Sequence, residues 1–287
     1  MTSTIGLLHP GQMGAAVAAQ LRSNGCRVLW CPDGRSDTSM RRAEEAGLEP
    51  RSLAELVETS EVVLSLVPPA QAEAAADAVQ REGFDGVYVE ANAIRPGRVE
   101  AIASKLPHSQ VVDACVIGPP PVDRTPAVPT RFFASGPEDL LSRIGDSFAD
   151  TAVEFHALGP QVGRASGLKM AQSTVQKGSR MLAALGHALA ADYGVGEALT
   201  DSVEGWAHPA SDPAKLPALA GRAWRWEPEM RDTAQALDES GLPPGAITAI
   251  ADALKAWEPF KDRTDIDLHD ILAALHNLEF DSDQETP

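Results

Sequence analysis

The sequence predicts an α/β protein, in which a doubly wound parallel sheet is followed by an all-helical C-terminal domain. Short apolar, β-rich runs alternate with helical patterns through the first half of the chain, as expected for parallel strands joined by crossover helices. After Gly167 the strand pattern disappears, and helical patterns punctuated by Pro and Gly follow. We therefore divide the chain into residues 1–163, a dinucleotide-binding domain of the Rossmann type, and residues 164–287, a helical domain reached through a long helix.

Six strands and five helices are predicted in the first domain. Several of the strands are continuously apolar, as buried parallel strands are, and they cover residues 5–8, 27–31, 61–67, 86–90, 111–116 and 130–134. The helices between them cover residues 13–24, 37–46, 53–59, 70–81 and 96–105.

Composition excludes several classes of protein. The chain has 287 residues, of which 44% are hydrophobic, and a formal net charge of −17. A surface this acidic repels nucleic acid and anionic lipid. Cys26, Cys31 and Cys115 form no C-x-x-C pair, so we expect neither disulfides nor a zinc site. With no basic N-terminal region and no apolar run of about 18 residues, the sequence predicts a cytoplasmic protein.

A long helix is predicted over residues 166–193, which at 1.5 Å per residue would span about 40 Å. It carries an apolar stripe at heptad-like spacing, formed by Leu168, Ala171, Val175, Gly178, Leu182, Leu185 and Leu189. This stripe has two interpretations, namely intradomain core or a subunit interface.

A glycine motif joins the first strand to the first helix. Gly11 and Gly14 stand where a dinucleotide fingerprint needs glycine, for backbone approach to a pyrophosphate and for close helix packing. His9 occupies the place of the motif's first glycine. We predict that the helix N-terminus binds the pyrophosphate through the loop residues His9, Pro10, Gly11, Gln12 and Met13.

The loop after the second strand bears on the choice between NADP and NAD. Arg35 and Ser36 offer a guanidinium and a hydroxyl, which suit the 2′-phosphate of NADP. Asp33 in the same loop would favour NAD if it, rather than Arg35, faced the ribose. We predict NADP as the cofactor.

The carboxyl ends of later strands supply further candidates, because ligands of open α/β sheets bind there. Val67 ends one strand, Pro68 follows it, and Asn92 follows the next strand. We predict that all three contact the cofactor, although Asn92 could instead bond a substrate group. Asn92 has an alternative role as a cap for the helix that starts near Pro96.

Polar residues share one face of the long helix, at positions i, i+3, i+4, i+7 and i+11: Lys169, Gln172, Ser173, Gln176 and Arg180. A lysine near a helix N-terminus meets the positive end of the helix dipole, which favours its neutral form and suits proton transfer. The alternative for Lys169 is a solvated surface residue.

Together these segments resemble the β-hydroxyacid dehydrogenase family, which includes 6-phosphogluconate dehydrogenase-like proteins. Besides the glycine motif, residues 113–119 (D-A-C-V-I-G-P) are similar to the family's D-A-P-V-S-G-G segment, and residues 163–169 (G-R-A-S-G-L-K) to its G-x-G-x-x-x-K segment. The resemblance implies that Lys169 is the catalytic lysine, acting as general acid in carbonyl reduction and as general base in alcohol oxidation. It also implies a homodimer.

The chain departs from the family at substrate contacts. Ile117 stands where the family has serine, and Ser173 where it has asparagine. We predict substrate contacts from Ile117, Gly118 and Ser173, and from Lys177, whose alternative is a surface lysine without a function. A carbonyl compound bulkier or less polar than the usual small hydroxyacid is admissible.

The sequence therefore predicts an NADP-dependent oxidoreductase that transfers a hydride between nicotinamide and a hydroxyacid or carbonyl substrate. No metal site is expected. Two alternatives remain open: an imine reductase that reduces C=N bonds, and a non-catalytic NADP-binding interaction protein.

Overall fold

The structure is a computed structural model that describes residues 3–122, 128–205 and 212–277. The chain forms two compact units, Met1–Lys169 and Met170–Pro287. The boundary lies inside the long helix, whereas the sequence placed it at the start of that helix. The first unit is α/β and the described part of the second is helical, so the predicted fold class is confirmed.

The first unit contains one eight-stranded sheet with the strand order β3-β2-β1-β4-β5-β6-β7-β8. Its strands are β1 Thr4–Leu7, β2 Arg27–Trp30, β3 Glu49–Pro50, β4 Val62–Ser65, β5 Val87–Glu90, β6 Gln110–Ile117, β7 Thr130–Ser135 and β8 Val153–Ala157. Neighbouring strands are parallel except β6 and β7, which are antiparallel. The order of the first six strands is that of a doubly wound dinucleotide-binding sheet.

Six helices of the first unit connect these strands: α1 Gln12–Ser23, α2 Asp37–Glu45, α3 Leu53–Thr59, α4 Ala72–Arg81, α5 Pro96–Lys105 and α6 Glu138–Ser147. Local sequence sets their starts. The side chains of Ser52 and Glu55 form a reciprocal capping box at α3, and Pro96 occupies the first turn of α5, where its missing N–H costs nothing.

Three elements of this unit were not predicted. Strand β3 has two residues, too few for a periodic pattern. Strand β8 lies at the edge of the sheet and is largely half-buried or exposed, so it lacks the apolar run that marked the other strands. Helix α6 lies between β7 and β8 in the chain and has three buried side chains, Leu140, Leu141 and Ile144.

The second unit is built around the long helix α7, Arg164–Asp192, which begins in the first unit. It also contains α8 Gly196–Ser202, α9 Pro217–Ala220, α10 Ala223–Glu239, α11 Gly245–Leu254 and α12 Leu268–Ala274. Its core joins Met181 and Ala184 of α7 to Met230, Ile250 and Trp257. None of the described helices is both long and apolar enough to cross a membrane.

The apolar stripe of α7 is not intradomain core, and that interpretation was wrong. Val175 is 72% exposed, and Leu182 and Leu189 are each 59% exposed. The buried face instead carries Met170, Ser173, Lys177, Met181 and Ala184. The helical period was correct, but the covered face is the one that includes polar side chains.

Candidate active site

The loop between β1 and α1 has the close packing that a dinucleotide fingerprint requires. A Cβ at Gly14 would overlap the carbonyl oxygen of His9, so helix and loop approach as closely as they do only because residue 14 is glycine. Gly11 is the N-cap of α1 and has no side chain to satisfy the first amides. Those amides remain available to an anion. Of the other predicted contacts, Pro10 is buried, Met13 is half-buried and Gln12 is exposed.

Arg35 lies against this loop. Its Nη2 donates to the carbonyl oxygen of Leu8 at 2.9 Å, and its Nη1 lies 3.4 Å from Nδ1 of His9. The structure thus brings together two residues, His9 and Arg35, that separate motifs had singled out. The Arg35 guanidinium is half-buried, and its buried Nε has no partner in the described part of the chain. An anion beside the loop would meet this cation directly.

Ser36 and Asp33 are exposed neighbours of Arg35. Ser36 is the N-cap of α2, and its Oγ accepts a hydrogen bond from the amide of Ser39 at 3.3 Å. The turn between Asp33 and Arg35 passes through Gly34 at φ +70, a conformation that favours glycine. Ser36 therefore has a capping role that the sequence analysis did not assign, besides its predicted cofactor contact.

The ends of β4 and β5 are tied together by Asn92. Its Nδ2 donates to Oγ of Ser65 at 2.9 Å, and its backbone amide donates to Oε1 of Glu90 at 2.9 Å. Its own Oδ1 is buried without a partner among the described residues. The alternative role of Asn92 as a helix cap is wrong, because α5 begins after Arg95. Val67 is buried and Pro68 half-buried beyond the end of β4.

Glu90 is a buried carboxyl group that sequence reasoning missed. It is fully buried at the end of β5, in register with Ser65 on one side and Asp113 on the other. Burial raises the pKa of Glu90 to about 8, against the hydrogen bonds from Asn92 and Ser65. The group is therefore mostly protonated at neutral pH. A charged residue ending an otherwise apolar strand, V-Y-V-E, was the available signal.

The substitution Glu90→Gln should change how stability depends on pH. A carboxyl pKa near 8 in the folded state, against 4.5 ordinarily, means that the unfolded chain loses its proton first as pH rises. The free energy of unfolding of the wild type should then fall by up to about 1.4 kcal/mol per pH unit across this window. The Glu90→Gln variant keeps a neutral side chain and should lack this component in urea titrations at pH 5, 6, 7 and 8. If the free energy of unfolding depended on pH in the same way in both proteins, the result would contradict a protonated Glu90.

Asp113, at the paired position on β6, holds the start of α7. Its Oδ2 accepts hydrogen bonds from the amides of Gly163 at 2.9 Å, Ala165 at 2.9 Å and Ser166 at 3.0 Å, and from the hydroxyl of Ser135 at 3.1 Å. A carboxylate at a helix N-terminus accepts hydrogen bonds from the free amides there and interacts favourably with the positive end of the helix dipole. Burial nevertheless raises the pKa of Asp113. This link between β6 and α7 positions Lys169.

Lys169 reaches the end of β6. Its Nζ donates to the carbonyl oxygen of Val116 at 3.1 Å, and the side chain is half-buried. An ammonium has three N–H donors, so two remain for a ligand. Lys169 is therefore only partly exposed to solvent. The neighbouring Cys115 is buried, and burial raises its pKa to about 12, which disfavours the thiolate form at neutral pH.

Ile117 and Gly118 continue the same strand. Ile117 is half-buried at the last position of β6, and its side chain offers no polar atom to a substrate. Gly118 has φ +125, and a Cβ there would lie 2.6 Å from the carbonyl oxygen of Pro129. The turn after β6 therefore requires glycine at this position.

Ser173 and Lys177, both in the second unit, converge on one carboxylate. The Ser173 hydroxyl donates to Oε1 of Glu229, and the Lys177 ammonium pairs with Oε2. All three side chains are buried, and the exposed fraction is 7% for both Lys177 and Glu229. Lys177 is thus not a surface lysine. Its Nζ also lies 5.7 Å from the ring centroid of Trp226, within cation–π range.

Two segments match known protein families. Residues 2–87 match the NADPH-binding domain of acetohydroxy acid isomeroreductase, and residues 190–257 match DUF1932, a domain of unknown function. The N-terminal match covers the strands β1 to β4 and the glycine loop between β1 and α1. No curated protein matches the sequence.

Solved structures share the fold over nearly the whole chain. One is a conserved protein of unknown function whose structure is described as similar to 3-hydroxyacid dehydrogenases, with 27% identity, TM-score 0.63, and coverage of 90% of this chain and 98% of that one. The 3-hydroxyisobutyrate dehydrogenase of Mycobacterium tuberculosis is 20% identical with TM-score 0.72, covering 98% and 100%. An imine reductase from Streptomyces aurantiacus is 16% identical with TM-score 0.58, covering 94% and 98%. The resemblance to the β-hydroxyacid dehydrogenases is confirmed.

Proposed function

We propose that this chain, which resembles the β-hydroxyacid dehydrogenases across both of its units, is an NADP-dependent oxidoreductase with Lys169 as its general acid and base. The observation that carries the proposal is the placement of Lys169 at the carboxyl end of β6, in the same unit as the glycine loop. Ligands of open parallel sheets bind at that edge. Bound NADP would supply or accept the hydride.

The residues of the first unit fit a dinucleotide. In the glycine loop, Gly11 places no side chain beside the first amides of α1, and Gly14 lets the helix pack closely on the loop. Arg35 lies against this loop, and Asn92 has a buried oxygen without a described partner. The loop would hold the pyrophosphate, Arg35 the 2′-phosphate and Asn92 the nicotinamide ribose. Arg35 supports NADP over NAD, because a guanidinium binds phosphate through several hydrogen bonds.

Lys169 would move the proton. With one N–H on the carbonyl oxygen of Val116, the ammonium is oriented and retains two donors for the oxygen of a carbonyl substrate. In the reducing direction it protonates that oxygen, and in the oxidising direction the neutral amine takes the hydroxyl proton. Ile117 and Gly118 would line the substrate beside it, and Ile117 favours an apolar group at that point.

Replacing Arg35 with alanine tests the cofactor. We expect NADPH affinity to fall at least about 10-fold, because a charge-assisted pair contributes about 1.5–3 kcal/mol, while NADH affinity changes little. Fluorescence titration with both cofactors measures this. Arg51→Ala is the matched control, since Arg51 is likewise a half-buried arginine but is already paired with Glu49. A similar loss for both cofactors would assign Arg35 to holding the loop, and binding of neither cofactor by the wild type would refute the proposed function.

An imine reductase is the second candidate. Ile117, in place of the serine of the resembled family, and the likeness in fold to an imine reductase favour it. A parallel screen of cyclic imines, aldehydes and hydroxyacids with NADPH and NADP separates the two. Tight cofactor binding with no turnover on any of them would favour a non-catalytic NADP-binding protein.

The second unit would form a homodimer through the exposed stripe of α7. Val175, Leu182 and Leu189 recur at heptad-like spacing and are each more than half exposed. An isolated monomer would not be expected to leave such a row of apolar side chains in water. Light scattering should give twice the monomer mass, and Leu182→Glu with Leu189→Glu should give the monomer mass. A monomeric wild type would contradict the dimer.

Ser173 and Lys177 remain proposed substrate contacts only if the substrate displaces their bonds to Glu229.

A further inference from the structure

Two carboxyl groups are buried side by side in the sheet of the first unit. Glu90 of β5 and Asp113 of β6 occupy paired positions on neighbouring parallel strands, and both are fully buried. Paired residues of neighbouring strands point to the same face of the sheet, and the strands are about 4.8 Å apart. Two carboxylates so close in a buried place repel strongly. We therefore expect this carboxyl pair to hold a proton at neutral pH.

The hydrogen bonds assign that proton to Glu90. Oδ2 of Asp113 accepts hydrogen bonds from three backbone amides at the start of α7 and from the hydroxyl of Ser135, and such donors favour the ionised form. Oε1 of Glu90 accepts from the amide of Asn92, but its Oε2 is buried without a partner among the described residues. Burial raises the pKa of both groups, and that of Glu90 to about 8. Oε2 is therefore the oxygen that carries the proton.

Other titratable groups lie around the carboxyl pair. Tyr88 precedes Glu90 by two residues on the same face of β5, and burial raises its pKa above the usual value. Glu73 of α4 acts on Tyr88 by its charge and is paired with Arg98 of α5 at 2.6 Å. Lys169 bonds the carbonyl oxygen farther along β6, beyond the carboxyl pair. Tyr88 is thus neutral at ordinary pH, and the charge that raises the pKa of Glu90, after burial, is that of its partner on β6.

Asn92 connects the carboxyl pair to the edge of the sheet where the cofactor is proposed to bind. Its amide donates to Oε1 of Glu90 at 2.9 Å, and its Nδ2 donates to Oγ of Ser65 at 2.9 Å. These bonds fix both the backbone and the side chain of Asn92. Its Oδ1 is buried without a partner among the described residues, and under the proposed function it accepts a hydrogen bond from the nicotinamide ribose. Glu90 is therefore bonded directly to a proposed cofactor contact.

We propose that Glu90 is a positioning residue of the cofactor site, which releases its proton when oxidised NADP binds and keeps it when NADPH binds. This inference rests on the proposed function. Loss of a hydride leaves the nicotinamide ring with a positive charge that the reduced form lacks, and a positive charge near a buried carboxyl favours the ionised form. In this step the O–H bond of Glu90 breaks, the proton passes to solvent, and the electron pair stays on the carboxylate. No electron is transferred.

Proton release on cofactor binding tests the proposal. Calorimetric titrations of the full chain at pH 7, in buffers of different ionisation enthalpy, should show up to about one proton more released with oxidised NADP than with NADPH. The 2′-phosphate is present in both cofactors, so its own titration cancels in this difference. Between pH 6 and 8, affinity for oxidised NADP should rise by up to about 10-fold per pH unit relative to affinity for NADPH.

Two variants and one spectrum locate the proton. Glu90→Gln keeps a neutral side chain of similar size and should abolish the difference between the two cofactors. Glu154→Gln is the matched control, since Glu154 is an exposed glutamate on β8 that pairs with Arg131, and it should keep the difference. Infrared difference spectra of the wild type need no variant. The band of a protonated carboxyl should be lost when oxidised NADP binds and should remain when NADPH binds.

The contrary outcomes are distinct. Equal proton release with both cofactors in the wild type, or no loss of a protonated carboxyl band, would overturn this proposal and leave the proposed function intact. A difference that persists in Glu90→Gln would also overturn it and would assign the proton to another group, such as Lys169. Binding of neither cofactor would refute the proposed function and this proposal together.

Discussion

Replacing Lys169 with alanine is expected to lower turnover by at least about 100-fold, the usual contribution of a general acid or base, while NADPH binding stays within about 2-fold of the wild type. The physical reason is that Lys169 supplies the proton and the glycine loop binds the cofactor. Stopped-flow turnover on a substrate found in the screen, beside a fluorescence titration with NADPH, measures both.

The variant Lys169→Arg tests whether Lys169 acts by transferring a proton or only by its positive charge. Arginine keeps a cation able to bond the carbonyl oxygen of Val116 but does not release its proton in proteins, so this variant should be nearly as impaired as Lys169→Ala. Lys105→Ala is the matched control, because Lys105 is an exposed lysine at the end of α5 that pairs only with Asp77 in the described structure. Wild-type turnover in Lys169→Ala would refute the mechanism, and full activity in Lys169→Arg would assign the residue an electrostatic role.

The second large effect is expected at Glu229. Replacing it with alanine leaves the Lys177 ammonium buried without its carboxylate and the Ser173 hydroxyl without its acceptor. Removing one partner of a buried ion pair typically costs about 3–5 kcal/mol. The free energy of unfolding, followed in urea by the fluorescence of the tryptophans, should fall by about that amount.

A double substitution shows whether the loss of stability comes from the buried Lys177 charge that has lost the Glu229 carboxylate. Lys177→Met with Glu229→Leu removes both charges at similar volume, and such replacements are often neutral or stabilising. The double variant should therefore be more stable than Glu229→Ala alone. Equal losses in the two variants would show that the cost comes from what both lack, the acceptor of the Ser173 hydroxyl, rather than from the charge of Lys177.

Local patterns were sufficient where an element carries its own start and stop signals. Helices α3 and α5 were predicted to the residue, because a capping box and an N-terminal proline fix where they begin. The role of Gly14 followed from the motif and agrees with the structure, in which a Cβ at this position would overlap the carbonyl oxygen of His9. Edge strand β8 was missed because an edge strand need not be apolar on both faces.

The same distinction between local and distant signals applies to the residues of the candidate site. The glycine motif, Arg35, Asn92 and Lys169 were proposed from their places at strand ends and helix starts, which are local features. The roles of Glu90 and Glu229 as partners of other side chains were not predicted. Nothing in the neighbouring sequence indicates that a carboxyl group is buried or which cation faces it.

Local sequence patterns gave the order of six of the eight strands and of helices α1 to α5, the glycine loop, and the period of α7. Only the tertiary structure decided which face of α7 is covered, since periodicity assigns residues to a face but does not say what packs on it. It also decided the partners of polar groups, because the carboxylate that binds Ser173 comes from a residue 56 positions away. Burial and ion pairing are set by such distant contacts, and with them the pKa of Glu90.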